Sequence, residues 1–234
     1  MALPKLNDVP KYELTIPSTD KKVYFRPFLV KEQKVLMMAL ETQDDKQILK
    51  SITDTIEACL EEDINVNTLA TFDVEYMFTQ IRAKSVGETT EILAECTHCN
   101  AQNKVKVKLD DIKIEVNKDD QIIKLNDLYT IKMRYPKYTS MIGKDEGETS
   151  VTKVLYNLVM TCLDELRSEN EIIKFDDEPE SEVVSFIENI TTDQFDMLLK
   201  FVNELPSLKH DIEFKCESCN EENKLTLQGI ADFF

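Results

Sequence analysis

The sequence predicts an α+β protein of two pseudo-symmetric repeats, each a β-hairpin, a helical segment and a CxxC knuckle, with the knuckles meeting on one metal ion. Three observations predict it. Two CxxC pairs, Cys96-Thr97-His98-Cys99 and Cys216-Glu217-Ser218-Cys219, align without gaps at an offset of roughly 120 residues, together with Asn100 and Asn220, Asn103 and Asn223, Lys104 and Lys224. Each pair lies between strand-like alternations: Ile92 and Ala94, then Val105 and Val107; Ile212 and Phe214, then Leu225 and Leu227. Ahead of each knuckle come a short alternating segment bearing Arg26 or Arg134 and a helical stripe bearing Cys59 or Cys162. The repeats are expected at 1–118 and 119–234.

Taken in order, residues 1 to 10 are a polar arm. Tyr12–Ile16 and Val23–Phe28 alternate as strands around the turn Pro17-Ser18-Thr19-Asp20. Leu29 to Glu41, rich in Leu, Met, Lys and Glu, reads as a helix. Ile48, Ile52, Ile56, Cys59 and Leu60 give the next helix an apolar stripe, so Cys59 belongs to the core. Thr71 is the expected cap of a third helix, with Asp73 and Glu75 in its first turn, Met77, Phe78 and Ile81 inward, and Gly87 at its end. Asp110 to Leu125 alternates again, with Ile112, Ile114 and Val116 on one face. Tyr129–Tyr135 is the counterpart of the Val23 strand, and the helix of Val151, Val154, Leu155, Leu158, Val159, Cys162 and Leu163 is the counterpart of the Ile48 helix.

The helical cysteines match at an offset of about 103, so the second repeat carries an insertion, Ser168 to Glu182, between helix and knuckle. Its acidic centre, Asp176-Asp177-Glu178-Pro179-Glu180, predicts a solvated loop or a site for a basic partner. A helix follows from Ser181 to Ile190. Thr191 with Gln194 forms a capping box for the next helix, whose Phe195, Leu198, Val202 and Leu205 face inward before Pro206 stops it. Gly143 to Ser150 is a candidate loop, and Phe233-Phe234 either dock on their own core or anchor a partner.

Cys96, Cys99, Cys216 and Cys219 are the candidate ligands of one structural zinc. Zinc takes four soft ligands tetrahedrally, and a two-residue gap lets one tight turn aim both sulfurs at one ion; each pair alone is half a site. Two disulfides, redox-active pairs and thiols that never meet are the alternatives. His98 is left out, because its counterpart is Ser218.

Composition narrows the class. At 234 residues with 42% hydrophobic content the chain can bury a sizeable core. No apolar run approaches the ~20 residues of a membrane span, and no signal-peptide core follows Met1, so a cytoplasmic protein is expected. There six cysteines, four of them in CxxC pairs, suit metal ligation better than a disulfide framework. The formal charge is −17, with 16 basic against 20 acidic residues up to Lys118 and 12 against 25 beyond it. Such a field repels phosphate and argues against nucleic-acid binding. Four glycines, with no phosphate-cradling loop, nucleophile triad or histidine pair, predict a non-enzyme without a small-molecule substrate.

The opening, Leu3-Pro4-Lys5-Leu6 through Tyr12-Glu13-Leu14, Pro17-Ser18-Thr19 and Phe25-Arg26-Pro27-Phe28-Leu29-Val30-Lys31-Glu32-Gln33-Lys34, resembles the start of the baseplate proteins of T-even-like contractile-tailed bacteriophages. The paired CxxC segments also fit that group. The resemblance is closest over the N-terminal third and implies a baseplate hub subunit or hub assembly factor. Such a protein binds other baseplate or tail proteins in the host cytoplasm during tail construction, and either stays in the virion or leaves it. No catalytic residue is carried over. The competing readings are a zinc-ribbon transcription or nucleic-acid-associated factor, which the charge opposes, and a thiol-redox protein, which lacks a thioredoxin-like context.

Overall fold

A computed structural model describes residues 9–112, 114, 116, 121–141 and 150–230. The expected N-terminal arm up to residue 8, part of the alternation between Asp110 and Leu125, the loop 142–149 and the terminal Phe233-Phe234 lie outside the described residues. In chain order the elements are β1 (Tyr12–Ile16), β2 (Lys21–Phe25), α1 (Val30–Thr42), α2 (Asp45–Cys59), α3 (Thr71–Val86), β3 (Thr89–Glu95) and β4 (Gln102–Lys108). Then come β5 (Ile122–Lys124), β6 (Thr130–Met133), α4 (Val151–Cys162), β7 (Leu163–Arg167), β8 (Ile172–Lys174), α5 (Glu180–Glu188), α6 (Thr192–Asn203), β9 (Lys209–Lys215) and β10 (Glu222–Gln228). Helices and small antiparallel sheets make this an α+β fold.

The chain forms two compact units, Met1–Glu115 with Pro206–Phe234, and Val116–Leu205. This packing boundary differs in kind from a repeat boundary at 118/119. The second CxxC hairpin, β9–β10, belongs with the first unit although the whole of Val116–Leu205 intervenes in the chain.

In the first unit β1 and β2 pair antiparallel, and their alternation buries Leu14, Ile16, Val23 and Phe25 on one face. Asp44 caps α2 by accepting from the Lys46 and Gln47 N–H groups. Helix α3 is apolar around most of its circumference, burying Phe72, Val74, Met77, Phe78, Ile81 and Ala83, which makes it the central helix of the unit. Its cap residue is Ala70 and not the expected Thr71. Alanine has no side-chain acceptor, so Asp73 takes over: its carboxylate accepts the Ala70 N–H at 3.3 Å, the Ser18 N–H at 2.9 Å and the Ser18 hydroxyl at 2.6 Å. The β1–β2 turn is thereby tied to the start of α3. Burial nevertheless pushes the Asp73 carboxyl upward, against the Ser18 and Ala70 donors.

In the second unit β5-β6-β7-β8 form one antiparallel sheet. Ile131, Met133, Val159, Leu163, Leu198 and Val202 build its core together with Cys162. Thr191 and Gln194 form the predicted capping box of α6, with bonds of 3.3 and 2.9 Å. The segment Ser168 to Glu182 is exposed over nearly its whole length, as a solvated insertion should be, but it is not a plain loop: it holds the β7–β8 turn, β8, a 3-10 turn at Phe175–Asp177 and the start of α5. Phe175 enters the core and Asp176 forms a two-point ion pair with Arg134, so the run of acids is partly neutralised.

Both units contain the same junction. Helix α2 ends at Cys59, whose carbonyl accepts the Arg26 N–H at 3.0 Å, while Leu60 turns extended and bridges Phe25. Helix α4 ends at Cys162, whose carbonyl accepts the Arg134 N–H at 2.7 Å, while Leu163 turns extended and pairs with Met133. Each guanidinium also reaches the carbonyl before its cysteine, Ala58 at 2.8 Å and Thr161 at 3.2 Å. Each then meets a carboxylate, Glu32 at 2.9 Å or Asp176.

The Arg26–Glu32 pair is the more buried of the two. Burial alone would raise the Glu32 carboxyl, but Arg26 and the Leu29 N–H outweigh it and hold it below the usual carboxylate range. A lowered carboxyl stabilises the fold fully above its unfolded value, and that stability fades as pH falls through the folded value. Arg26→Ala leaves a buried carboxylate without its cation and should cost about 3 kcal/mol in denaturant unfolding near neutral pH. Arg26→Met combined with Glu32→Leu should recover most of the loss. Equal destabilisation by the single and double variants would show that the pair is not what the junction depends on.

Candidate metal centre

Each CxxC sequence lies at the tip of an antiparallel hairpin, β3–β4 or β9–β10, in register from Glu95↔Gln102 and from Lys215↔Glu222. The tips fold alike. The Cys96 N–H donates to the Ala101 carbonyl and the Asn100 N–H to the Cys96 carbonyl, both at 2.9 Å; the Cys216 N–H donates to Glu221 at 2.9 Å and the Asn220 N–H to Cys216 at 3.0 Å. Closing so tight a turn requires a left-handed residue, and Asn100 and Asn220 supply it at φ 59° and 61°. Asparagine is among the few side chains that tolerate that conformation. The turn also aims the His98 N–H at the Cys96 sulfur and the Ser218 N–H at the Cys216 sulfur, each at 3.4 Å.

The two tips meet. Cys96 Sγ lies 3.6 Å from Cys219 Sγ, and Cys99 Sγ lies 3.7 Å from Cys216 Sγ. All four sulfurs fall within 4.8 Å of one another. Sulfurs at roughly 2.3 Å from a tetrahedral zinc stand about 3.8 Å apart, so the donor set fits such an ion. The sequence-predicted residues Cys96, Cys99, Cys216 and Cys219 are therefore brought together, 117 to 123 residues apart across the two tips. Cys59 and Cys162 are buried elsewhere, in helix ends, and His98 is exposed and outside the cluster. Burial pushes the Cys59 thiol up to about 11 and the Cys162 thiol up to about 12, as befits inert core residues.

The sulfurs compete for protons. Backbone N–H donors at Cys219 and Ser218 push the Cys216 thiol down to about 6 against its burial. Cys219 goes up to about 12, because burial and its three sulfur neighbours outweigh the Glu221 N–H. A dication would remove the conflict, since four thiolates can then face one doubly charged centre. Four protein ligands close the coordination sphere, so such an ion braces structure and leaves no position for an activated water.

Two buried asparagines lock the tips together. Asn223 Oδ1 accepts from the Thr97 N–H and the Thr97 hydroxyl, both at 3.0 Å, while Asn103 Oδ1 accepts from the Glu217 N–H at 2.9 Å. Each amide nitrogen donates within its own knuckle, Asn103 to the Ala101 carbonyl at 2.8 Å and Asn223 to the Glu221 carbonyl at 3.0 Å. The clasp is reciprocal. Below it Val107, Ile212 and Leu227 form an apolar layer with Ala83 and Leu208. The signal for these residues was present in the sequence as asparagines shared at the same offset as the cysteines, but their reach across the tips is visible only in three dimensions.

Asn103→Ala and Asn223→Ala each remove the acceptor of a part-buried N–H on the opposite tip and should each cost about 1 kcal/mol in thermal or denaturant unfolding. The two losses should be similar. A large loss at one position and none at the other would contradict the reciprocal clasp.

Among families of known proteins, the model described as T4 bacteriophage base plate protein matches residues 9–234 of this chain. The match spans both CxxC hairpins and everything between them. No curated protein and no solved structure matches the chain.

Proposed function

The chain belongs to the T4 bacteriophage base plate protein family, and on that premise we propose that it is a baseplate hub subunit or hub assembly factor working by protein binding. One structural zinc would hold its two CxxC hairpins together. The convergence of four sulfurs from hairpins more than 110 residues apart carries this reading, because a closed four-thiolate set suits a brace and not a reaction centre. Soft thiolates in a tetrahedral arrangement favour zinc among the ions that proteins use structurally. The repeated arginine-to-cysteine junction and the matched knuckles support descent of both halves from one duplicated unit.

A structural role in the phage tail follows from the family; the hub position, the assembly role and the stay in the host cytoplasm are the proposal. Among the described residues no helix is long and apolar enough to cross a membrane. The nucleic-acid-associated alternative rests on the four-cysteine ribbon alone. A charge of −17 works against it, since affinity for the phosphate backbone comes from cations that displace counterions.

Tagged protein expressed in infected cells should retrieve other tail proteins, with hub components foremost. In a gel shift at physiological salt it should bind duplex and single-stranded DNA no tighter than the roughly 10⁻⁴ M end of non-specific association. Recovery of nucleic acid or transcription proteins in place of tail proteins, with micromolar, salt-sensitive DNA binding, would reverse the choice between the two readings.

A further inference from the structure

Helix α1 is a poor fit to a surface helix. Of its thirteen residues only Glu32 and Ala39 are buried, where it packs against α2, and Leu36 is half-buried. The rest of its apolar content faces outward: Val30 is 80% exposed, Leu40 60%, Met37 57%, Met38 57% and Val35 50%. At 100° per residue Val30, Met37 and Leu40 share one outer stripe with Gln33; Lys34 and Glu41 lie beside it at the middle of the outer face, Met38 lies beyond them, and Val35 falls at the far edge next to the buried side. A contiguous outward patch of this kind marks an interaction surface.

The charges on that face also run the wrong way. Helix N-termini favour acids and C-termini favour bases. In α1 the exposed bases Lys31 and Lys34 stand at the N-terminal end, Glu41 stands in the last turn, and no base is found there. Glu32 in the first turn is already engaged with Arg26. Among the described residues neither Lys34 nor Glu41 has an ion-pair partner. In isolation Glu41 opposes the helix dipole at the C-terminal end, and at the N-terminal end the two lysines work against the favourable Glu32, whose carboxylate accepts the Leu29 N–H.

A second copy of the same helix, laid antiparallel, corrects both ends at once. We propose that α1 is the contact through which two copies of this chain pair about a two-fold axis near Met37 and Met38. Such an interface is self-complementary: Lys34 of each copy meets Glu41 of the other, and each outward stripe covers its twin. Glu41 then lies near the other copy's N-terminal end and the lysines near its C-terminal end. Two chains of charge −17 repel each other beyond their contact, so the face that joins them must be locally balanced, as α1 is. A helix of thirteen residues is roughly 20 Å long. The contact is therefore small, and the dimer should be concentration-dependent, gaining weight where copies are concentrated in an assembly.

The test is sedimentation or light scattering of the full chain over a series reaching roughly 100 µM, the weak end for a small specific contact. The mass should rise from 27.1 kDa towards twice that value. Met37→Glu should remain monomeric. Lys34→Glu and Glu41→Lys, each counted twice by the symmetry, should each weaken dimerisation roughly tenfold. Their equimolar mixture should restore it, because in the mixed pair both cross-helix contacts again join an acid to a base. All these positions are exposed, and unchanged melting of each variant verifies its fold. A wild type monomeric throughout, a dimer that survives Met37→Glu, or a mixture no better than its components would overturn the proposal and leave α1 to a different tail protein.

Discussion

Four sulfurs in a space one ion wide are the constraint on which the first unit depends. Thiolates at 3.6 and 3.7 Å repel unless a cation or protons stand between them. The backbone has been shaped to hold them there regardless: two hairpin tips of identical construction, two left-handed asparagines, and two buried asparagines bonded reciprocally across the tips. Such supporting bonds around a set of ligands fix their orientation before an ion arrives. An ion bridging positions 123 residues apart would also remove chain entropy from the unfolded state, on the order of 5 kcal/mol by the loop argument used for disulfides. The second unit is an excursion of the chain between the two cysteine hairpins of the first.

A second constraint recurs where helix passes into strand. At Cys59 and at Cys162 a helix ends on a carbonyl that accepts an arginine N–H, and the same arginine covers the preceding carbonyl and reaches a carboxylate. Terminal helix carbonyls need donors, and a guanidinium at a helix C-terminus supplies both hydrogen bonds and a favourable charge. The carboxylate differs between the two junctions. Glu32 comes from the helix just after its arginine, whereas Asp176 comes from the acidic segment of the second unit.

That difference explains where the sequence was readable and where it was not. The hairpins, the apolar stripe of α2, the capping box of α6 and the convergence of the four cysteines were legible, because each rests on short-range periodicity or on a spacing that one tight turn enforces. Family membership was legible from the opening segment, although the match extends over residues 9–234. The segment from Ser168 to Glu182 was legible as solvent-facing from its charges, but its short strand and turn were not, because the three residues of β8 are too few to show a period. Asp176 within it is held by Arg134, 42 residues away along the chain. The cap of α3 was displaced by one residue for a similar reason: Asp73 acts from inside the first turn and is held by Ser18, 55 residues earlier. Partners distant in sequence leave no local trace.

The claim that one ion braces both hairpins is tested most directly by counting the metal in purified protein, by atomic absorption or plasma mass spectrometry, in the wild type and in six single cysteine variants. The account predicts one zinc per chain. Cys96→Ser, Cys99→Ser, Cys216→Ser and Cys219→Ser should all damage that same site, whereas Cys59→Ala and Cys162→Ala should keep a full equivalent, since both lie in helix ends among core residues. Two zinc ions in the wild type, or a full equivalent retained in both Cys96→Ser and Cys216→Ser, would contradict it.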